Sequence, residues 1–182
     1  MSSTLRVVRQ ALGAGIVTAL LVAGMASPAW SQEDSRETTR DNVRSALRRI
    51  GPKIGVSFQQ SQANPFNFSA SMTDGLSEAE SMEIIVMVGK NDVMMVRVFP
   101  HVSGNRYINI DRATNSTGLM RKLLANNAGD FFHWGMDDVY DVFAEFTFTL
   151  ESGFPEESLD VVLRSVELLD KKVGEMELLI GR

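Results

Sequence analysis

Four carboxylates fall within a few residues of one another, at Asp137, Asp138, Asp141 and Glu145. A pair of carboxyl groups can run hydrolysis when one is held protonated and the other ionised, and clustered oxygens of this kind suit a hard cation. The spacing specifies neither chemistry. It lacks the alternating aspartates and fixed glycine of a calcium loop, and nothing adjacent separates the carboxyl pKa values. An acid-dependent or metal-assisted hydrolase using the 137–145 carboxylates is therefore an alternative reading, and a solvated hairpin is the leading one. In that reading Asp137 and Asp138 occupy the turn, while Asp141 and Glu145 share one face of a strand.

The other reactive side chains are sparse. His101 follows Pro100 in a loop, and His133 sits between Phe132 and Trp134 on an expected strand, its side chain opposite theirs. A metal site built on both would need two distant loops to converge. Of the ten methionines, Met82, Met87, Met94 and Met95 fall in one expected hairpin. Thioethers bind cuprous copper, yet Met94 and Met95 are adjacent and point to opposite faces, which favours packing. The chain has no cysteine, which excludes disulfides, zinc knuckles, iron–sulfur ligation and a thiol nucleophile. It has no nucleophile elbow and no phosphate-binding loop either. No catalytic residue, metal ligand or cofactor is assigned.

Arg36, Arg40, Arg44 and Arg48 recur every four residues and so share one side of a helix. Such a stripe could meet an acidic partner or anionic lipid, or it could be a solvated face paired with neighbouring acids. With a formal net charge of −5 and no concentrated basic surface, nucleic-acid binding is not expected.

These side chains need elements to hold them. Val43, Ala46, Leu47 and Ile50 have helical spacing, and Gly51 and Pro52 end that helix. Ile54, Val56 and Phe58 alternate with polar residues, as do Phe66, Phe68, Ala70 and Met72, predicting two strands. Residues 82–88 and 93–99 form a hairpin about Lys90, Asn91 and Asp92, with a short extension over 107–110. A second helix runs from Asp111 past Leu124, with Asn115, Ser116 or Thr117 as its cap and Gly129 as its stop. A further hairpin spans residues 131–150. Pro155 opens a last helix whose apolar face is Leu159, Val162, Leu163, Val166, Leu169 and Val173. The tail over 176–180 is a short strand or a frayed extension. The expected fold is α+β: an antiparallel sheet of about five to six strands with helices packed on it, in the order α-β-β-β-β-α-β-β-α.

The first residues read as an address. Arg6 and Arg9 precede an uncharged apolar run over 11–26, about sixteen residues where a bilayer span needs about twenty. Pro28 follows, and Ala29 and Ser31 supply the small residues a signal peptidase requires. Residues 1–31 are expected to be a cleavable signal peptide, cut after Ser31. Residues 32–182 then form a single domain, periplasmic or secreted, with no stable membrane anchor after cleavage. The first 31 residues hold two of the 18 basic residues and no acid, so the remainder carries 16 against 23 acidic residues, net −7.

The element order, together with Asn126, Asn127, Phe132, Trp134, Asp137, Asp138, Glu145, Phe146, Thr147, Gly153 and the apolar helix over 159–169, resembles the YbjN family of sensory transduction regulators. That resemblance implies a fold like the type III secretion chaperones and a protein-binding or regulatory module that can form a homodimer. The chain departs from the family pattern at Gly129 and Asp130, where members often carry basic residues. The expectation is a non-enzymatic domain that binds a protein or peptide, using the sheet or an exposed strand edge. Its candidate contact residues are Arg36, Arg40, Arg44, Arg48, Phe132, Trp134, Asp137 and Asp138. An envelope-surface protein binding anionic lipid through its first helix is a further alternative.

Overall fold

The computed structural model describes residues 30–181. Residues 1–29, which hold most of the expected export signal, lie outside the described residues. The chain begins with helix α1 (Trp30–Ile50), whose Val43, Ala46, Leu47 and Ile50 are buried as their spacing requires. A short 3₁₀ turn (Gly51–Ile54) follows instead of a strand. Pro52 within Gly51–Ile54 supplies no backbone N–H for a sheet ladder, and Gly55 takes a left-handed φ of 72°. Residues 56–58 are irregular, and the first strand, β1 (Gln59–Gln60), lies just beyond the expected one.

The remaining strands are β2 (Asn67–Met72), β3 (Ser81–Val88), β4 (Val93–Val102), β5 (Arg106–Tyr107), β6 (His133–Met136) and β7 (Val142–Thr149). They form one antiparallel sheet in the order β1-β2-β3-β4-β7-β6, with β5 paired to the far end of β4. Helix α2 (Ser116–Asn127) carries the chain from β5 to β6, and Asn115 caps it by accepting the Gly118 N–H at 2.8 Å. The last helix of the sequence pattern is broken into α3 (Glu156–Arg164) and α4 (Glu167–Gly174). At the break the Ser165 hydroxyl donates back to the Val161 carbonyl, a bond that competes with the helical ladder. The tail resolves as a helical turn, α5 (Glu177–Ile180).

Alternation decides which side of the sheet meets the helices. Phe68, Ala70 and Met72 on β2, Met82, Ile84 and Val86 on β3, Met94, Val96 and Val98 on β4 and Val142 and Ala144 on β7 join one apolar core with α1 to α5. Asp170 on α4 ties the layers together where the β2–β3 loop passes: its carboxylate accepts the N–H groups of Ser77, Glu78 and Ala79 at 2.7, 3.0 and 2.7 Å. That accounts for a buried charge, since three backbone donors replace the water it gave up. Two ion pairs, Arg49 at the end of α1 with Glu156 and Lys53 in the 3₁₀ turn with Asp160, join this end of the chain to α3.

Candidate functional site

The five helices of the described residues lie on one side, so the residues in between along each strand face outward, and the registers arrange them in rows across the sheet. Asn67, Met87, Met95 and Thr147 form one row. The next runs from edge to edge: Gln59, Ser69, Ile85, Arg97, Glu145 and His133. A third holds Ser71, Glu83 and Phe99, whose ring meets Phe143 at 5.7 Å, and Phe143 in turn pairs with Gly135. Ser81, His101 and Tyr107 form a fourth. Ile85, Met87, Met95, Phe99 and Phe143 all stand outside the apolar core, as their parity demands.

The centre of this open face is organised by Arg97. Its guanidinium donates to Glu145 Oε2 from Nε at 2.8 Å and from Nη2 at 2.6 Å, and it lies 4.0 Å above the Phe143 ring. The ring can lie flat across β6 because its partner there is Gly135: a Cβ at that position would sit 2.9 Å from Phe143 Cζ. The result is a half-buried apolar band flanked by polar residues.

Beside the band, near the β2 edge, is a depression of about 290 Å³ lined by Ser57, Gln59, Ser69, Ala70, Ser71, Glu83 and His101. The Tyr107 hydroxyl donates to Glu83 Oε2 at 2.7 Å and its ring stands edge-on to His101 at 4.2 Å. That hydrogen bond, then burial and the charges of Glu83, Asp141 and Asp137, push the Tyr107 pKa up to about 12. A larger depression, about 960 Å³, lies elsewhere, between the end of α1 and α3. Its Arg49, Lys53 and Arg164 are already paired with Glu156 and Asp160.

Neither edge of the sheet offers a long row of open backbone groups. On β6, Trp134 donates its N–H to Asn127 Oδ1 at 2.5 Å and its carbonyl accepts from Asn127 Nδ2 at 3.1 Å. The side-chain amide of α2 thus stands in for a neighbouring strand. At the other edge β1 has two residues.

The candidates read from sequence are scattered by this geometry. Phe132 and Trp134 are 2% and 5% exposed, so their rings belong to the core and not to a contact surface. Their alternation with His133 is as expected, and it is His133 that faces outward. Asp137 is spent on its own turn, its Oδ1 accepting the N–H of Val139 at 3.1 Å and of Asp141 at 2.8 Å, while Asp138 is exposed. Asp141 accepts from Asn109 and Arg112, and Glu145 from Arg97, so the four carboxylates do not converge. Among the described residues, no group of three or more histidines and carboxylates could hold a metal ion.

The arginine stripe runs along the β2 side of α1. Arg36 donates twice to the Val88 carbonyl, at 2.8 and 3.2 Å, and stacks 3.5 Å over Phe66. Arg40 pairs with Glu37 and Asp41, and that hydrogen bond holds the Asp41 carboxyl below its usual range. Arg44 donates to Asp41 and Gln60. Arg48 is exposed. Of the methionines, Met82 and Met94 enter the core, whereas Met87 and Met95 sit directly opposite each other on the open face. The open-face rows, Gly135 included, went unrecognised in the sequence. The nearest signal was the run of alternating strands, which marks two faces without saying which one the helices cover.

No protein-family model and no curated protein matches the chain. Among solved structures it is similar to YbjN from E. coli, described as a candidate transcription regulator: 14% identity over 74% of this chain and 86% of that one, with a TM-score of 0.46. YbjN is the family that residues 126–169 resemble in sequence, and the likeness is distant in both respects.

Proposed function

We propose that the protein is an exported, non-enzymatic binding domain that docks a segment of another protein on the open face of its sheet. The observation that carries this reading is the apolar band of Ile85, Met87, Met95 and Phe143. Its side chains stand outside the core around a pre-arranged Arg97–Glu145 pair. Burying such side chains against a partner returns roughly 25 cal/mol for each Å² removed from water, and a rigid face loses little entropy on binding. Docking by strand addition is disfavoured, because the Asn127 amide already occupies the β6 edge.

Export rests on Arg6, Arg9 and the apolar run before Pro28. Intact mass of the secreted chain is expected to begin at Gln32, and a mature protein retaining Met1 contradicts it. For the docking face, a photo-crosslinking residue placed at Met95 is expected to capture a protein partner in the cell envelope. The same residue at Leu168, exposed on the helical side, is not. Equal capture at both positions, or turnover of a small molecule by the purified domain, overturns the reading.

A further inference from the structure

The depression beside β2 is lined by serines and a glutamine, which can donate or accept, and by Glu83 and His101. Asn105 Oδ1 receives the Ser81 hydroxyl at 2.9 Å and His101 Nδ1 at 2.8 Å. An amide oxygen has no proton to give, so in the neutral ring Nδ1 carries the hydrogen and Nε2 presents a lone pair. His101 is 9% exposed and this Nε2 has no hydrogen-bond partner. A buried acceptor without a donor is unfavourable, and a donor brought by a ligand relieves it.

Glu83 stands on the same wall. One of its oxygens receives the Tyr107 hydroxyl, and a carboxylate has several lone pairs to offer beyond that one bond. The Tyr107 pKa is raised first by that hydrogen bond and by burial, and then by the negative charges of Glu83, Asp141 and Asp137. Neither lysine nor arginine lines the depression. On the open face the guanidinium of Arg97 is held away, against Glu145 and Phe143.

We propose that this depression receives a lysine side chain of the docked partner, whose ammonium donates to Glu83 and to His101 Nε2 while neighbouring apolar residues lie on Ile85, Met87 and Met95. The inference rests on the reading of the open face as the docking surface, and it names the chemistry of the occupant: a segment with apolar residues flanked by lysine. An ammonium on a thin stem suits separately placed acceptors, whereas a planar guanidinium fork matches one bidentate carboxylate. The acidic balance of the domain adds long-range attraction for such a segment.

The test uses the mature chain and three acetylated probe peptides of equal length: alternating leucine and lysine, alternating leucine and glutamine, and alternating leucine and glutamate. Fluorescence anisotropy is expected to give the lysine peptide about tenfold tighter binding than the glutamine peptide, the worth of one charge-assisted hydrogen bond. The glutamate peptide is expected to bind more weakly than either. Glu83→Gln is expected to reduce the lysine-over-glutamine preference to about twofold, whereas Glu157→Gln on the exposed start of α3 keeps it. The ¹⁵N resonance of His101 Nε2 should shift when the lysine peptide is added, a readout that needs no variant. Equal binding of the lysine and glutamine peptides, or a preference untouched by Glu83→Gln, overturns the lysine receptor and leaves the docking face standing. Binding of none of the three, or sedimentation showing that two copies bury Ile85 against each other, overturns both.

Discussion

Met94 and Met95 are consecutive residues on one strand, and they have opposite surroundings: Met94 is enclosed among the helices, and Met95 lies half-buried on a face that no described helix covers. The same division runs along β3, where Met82, Ile84 and Val86 enter the core while Glu83, Ile85 and Met87 face out. In an ordinary two-layer domain the outer residues would be polar. Here apolar side chains persist on both faces, and a single ion pair anchors the outer one. Hydrophobicity alone therefore does not mark a core. The covering layer does, and an apolar face without one is a surface kept for something else.

Substitution at the paired positions separates the two faces most sharply. Met94→Ala is expected to destabilise the domain by about 3 kcal/mol in urea unfolding, from lost burial plus the cavity left behind. Met95→Ala is expected to cost below about 1 kcal/mol. Equal costs would mean that the outer face is packed like the inner one. Asp170→Ala, which strands three backbone N–H groups on the covered side, should cost about 2 kcal/mol, read as a lower urea midpoint with an unchanged slope. Gly135→Ala on the open side should cost about 1 kcal/mol by pushing the Phe143 ring off β6. Near-ultraviolet circular dichroism is expected to change while the helical signal does not.

The Arg97–Glu145 pair, only partly shielded from water, is expected to give a coupling of about 0.5 kcal/mol in a double-mutant cycle. A coupling near 3 kcal/mol would mean the face is buried in solution. The smallest effect is spectroscopic. Because the folded Tyr107 pKa is raised to about 12 from an ordinary value near 10, its contribution to stability is complete below pH 10 and is lost as pH rises through 12. Tyrosinate absorbance should show a step near pH 12 that Tyr107→Phe removes.

The parts of this architecture that follow a local period were legible in the sequence. The buried side of α1, the strand alternation and the apolar face over 159–173 each repeat every two or about 3.6 residues. Three features escaped. The strand expected over residues 54–58 did not form, because Pro52 and Gly55 outweighed a weak alternation: Ile54 ends a 3₁₀ turn and residues 56–58 are irregular. The last helix broke at Ser165 although its apolar pattern continues through the break. Phe132 and Trp134 were read as surface because a strand's alternation is symmetric: it separates their side from that of His133 without saying which side the helices cover. The open-face rows depend on strand register across the whole sheet, and no short window of sequence contains it. His101, Glu83 and Tyr107 are brought together only by three separate strands.

The Asp170 clamp also bears on how the chain is made. Its three donors were laid down 93, 92 and 91 residues earlier. On a ribosome the central hairpin emerges after α1 but long before α2 to α5, so the inner face of the nascent sheet is covered in part only and its β2–β3 loop is unfastened. Only when α4 and α5 have been made is the inner face fully covered, while the other stays open among the described residues. A chain terminated before Asp170 would lack the clamp and the core residues Val173, Met176 and Ile180, and is expected to be an early target for proteases and holding chaperones.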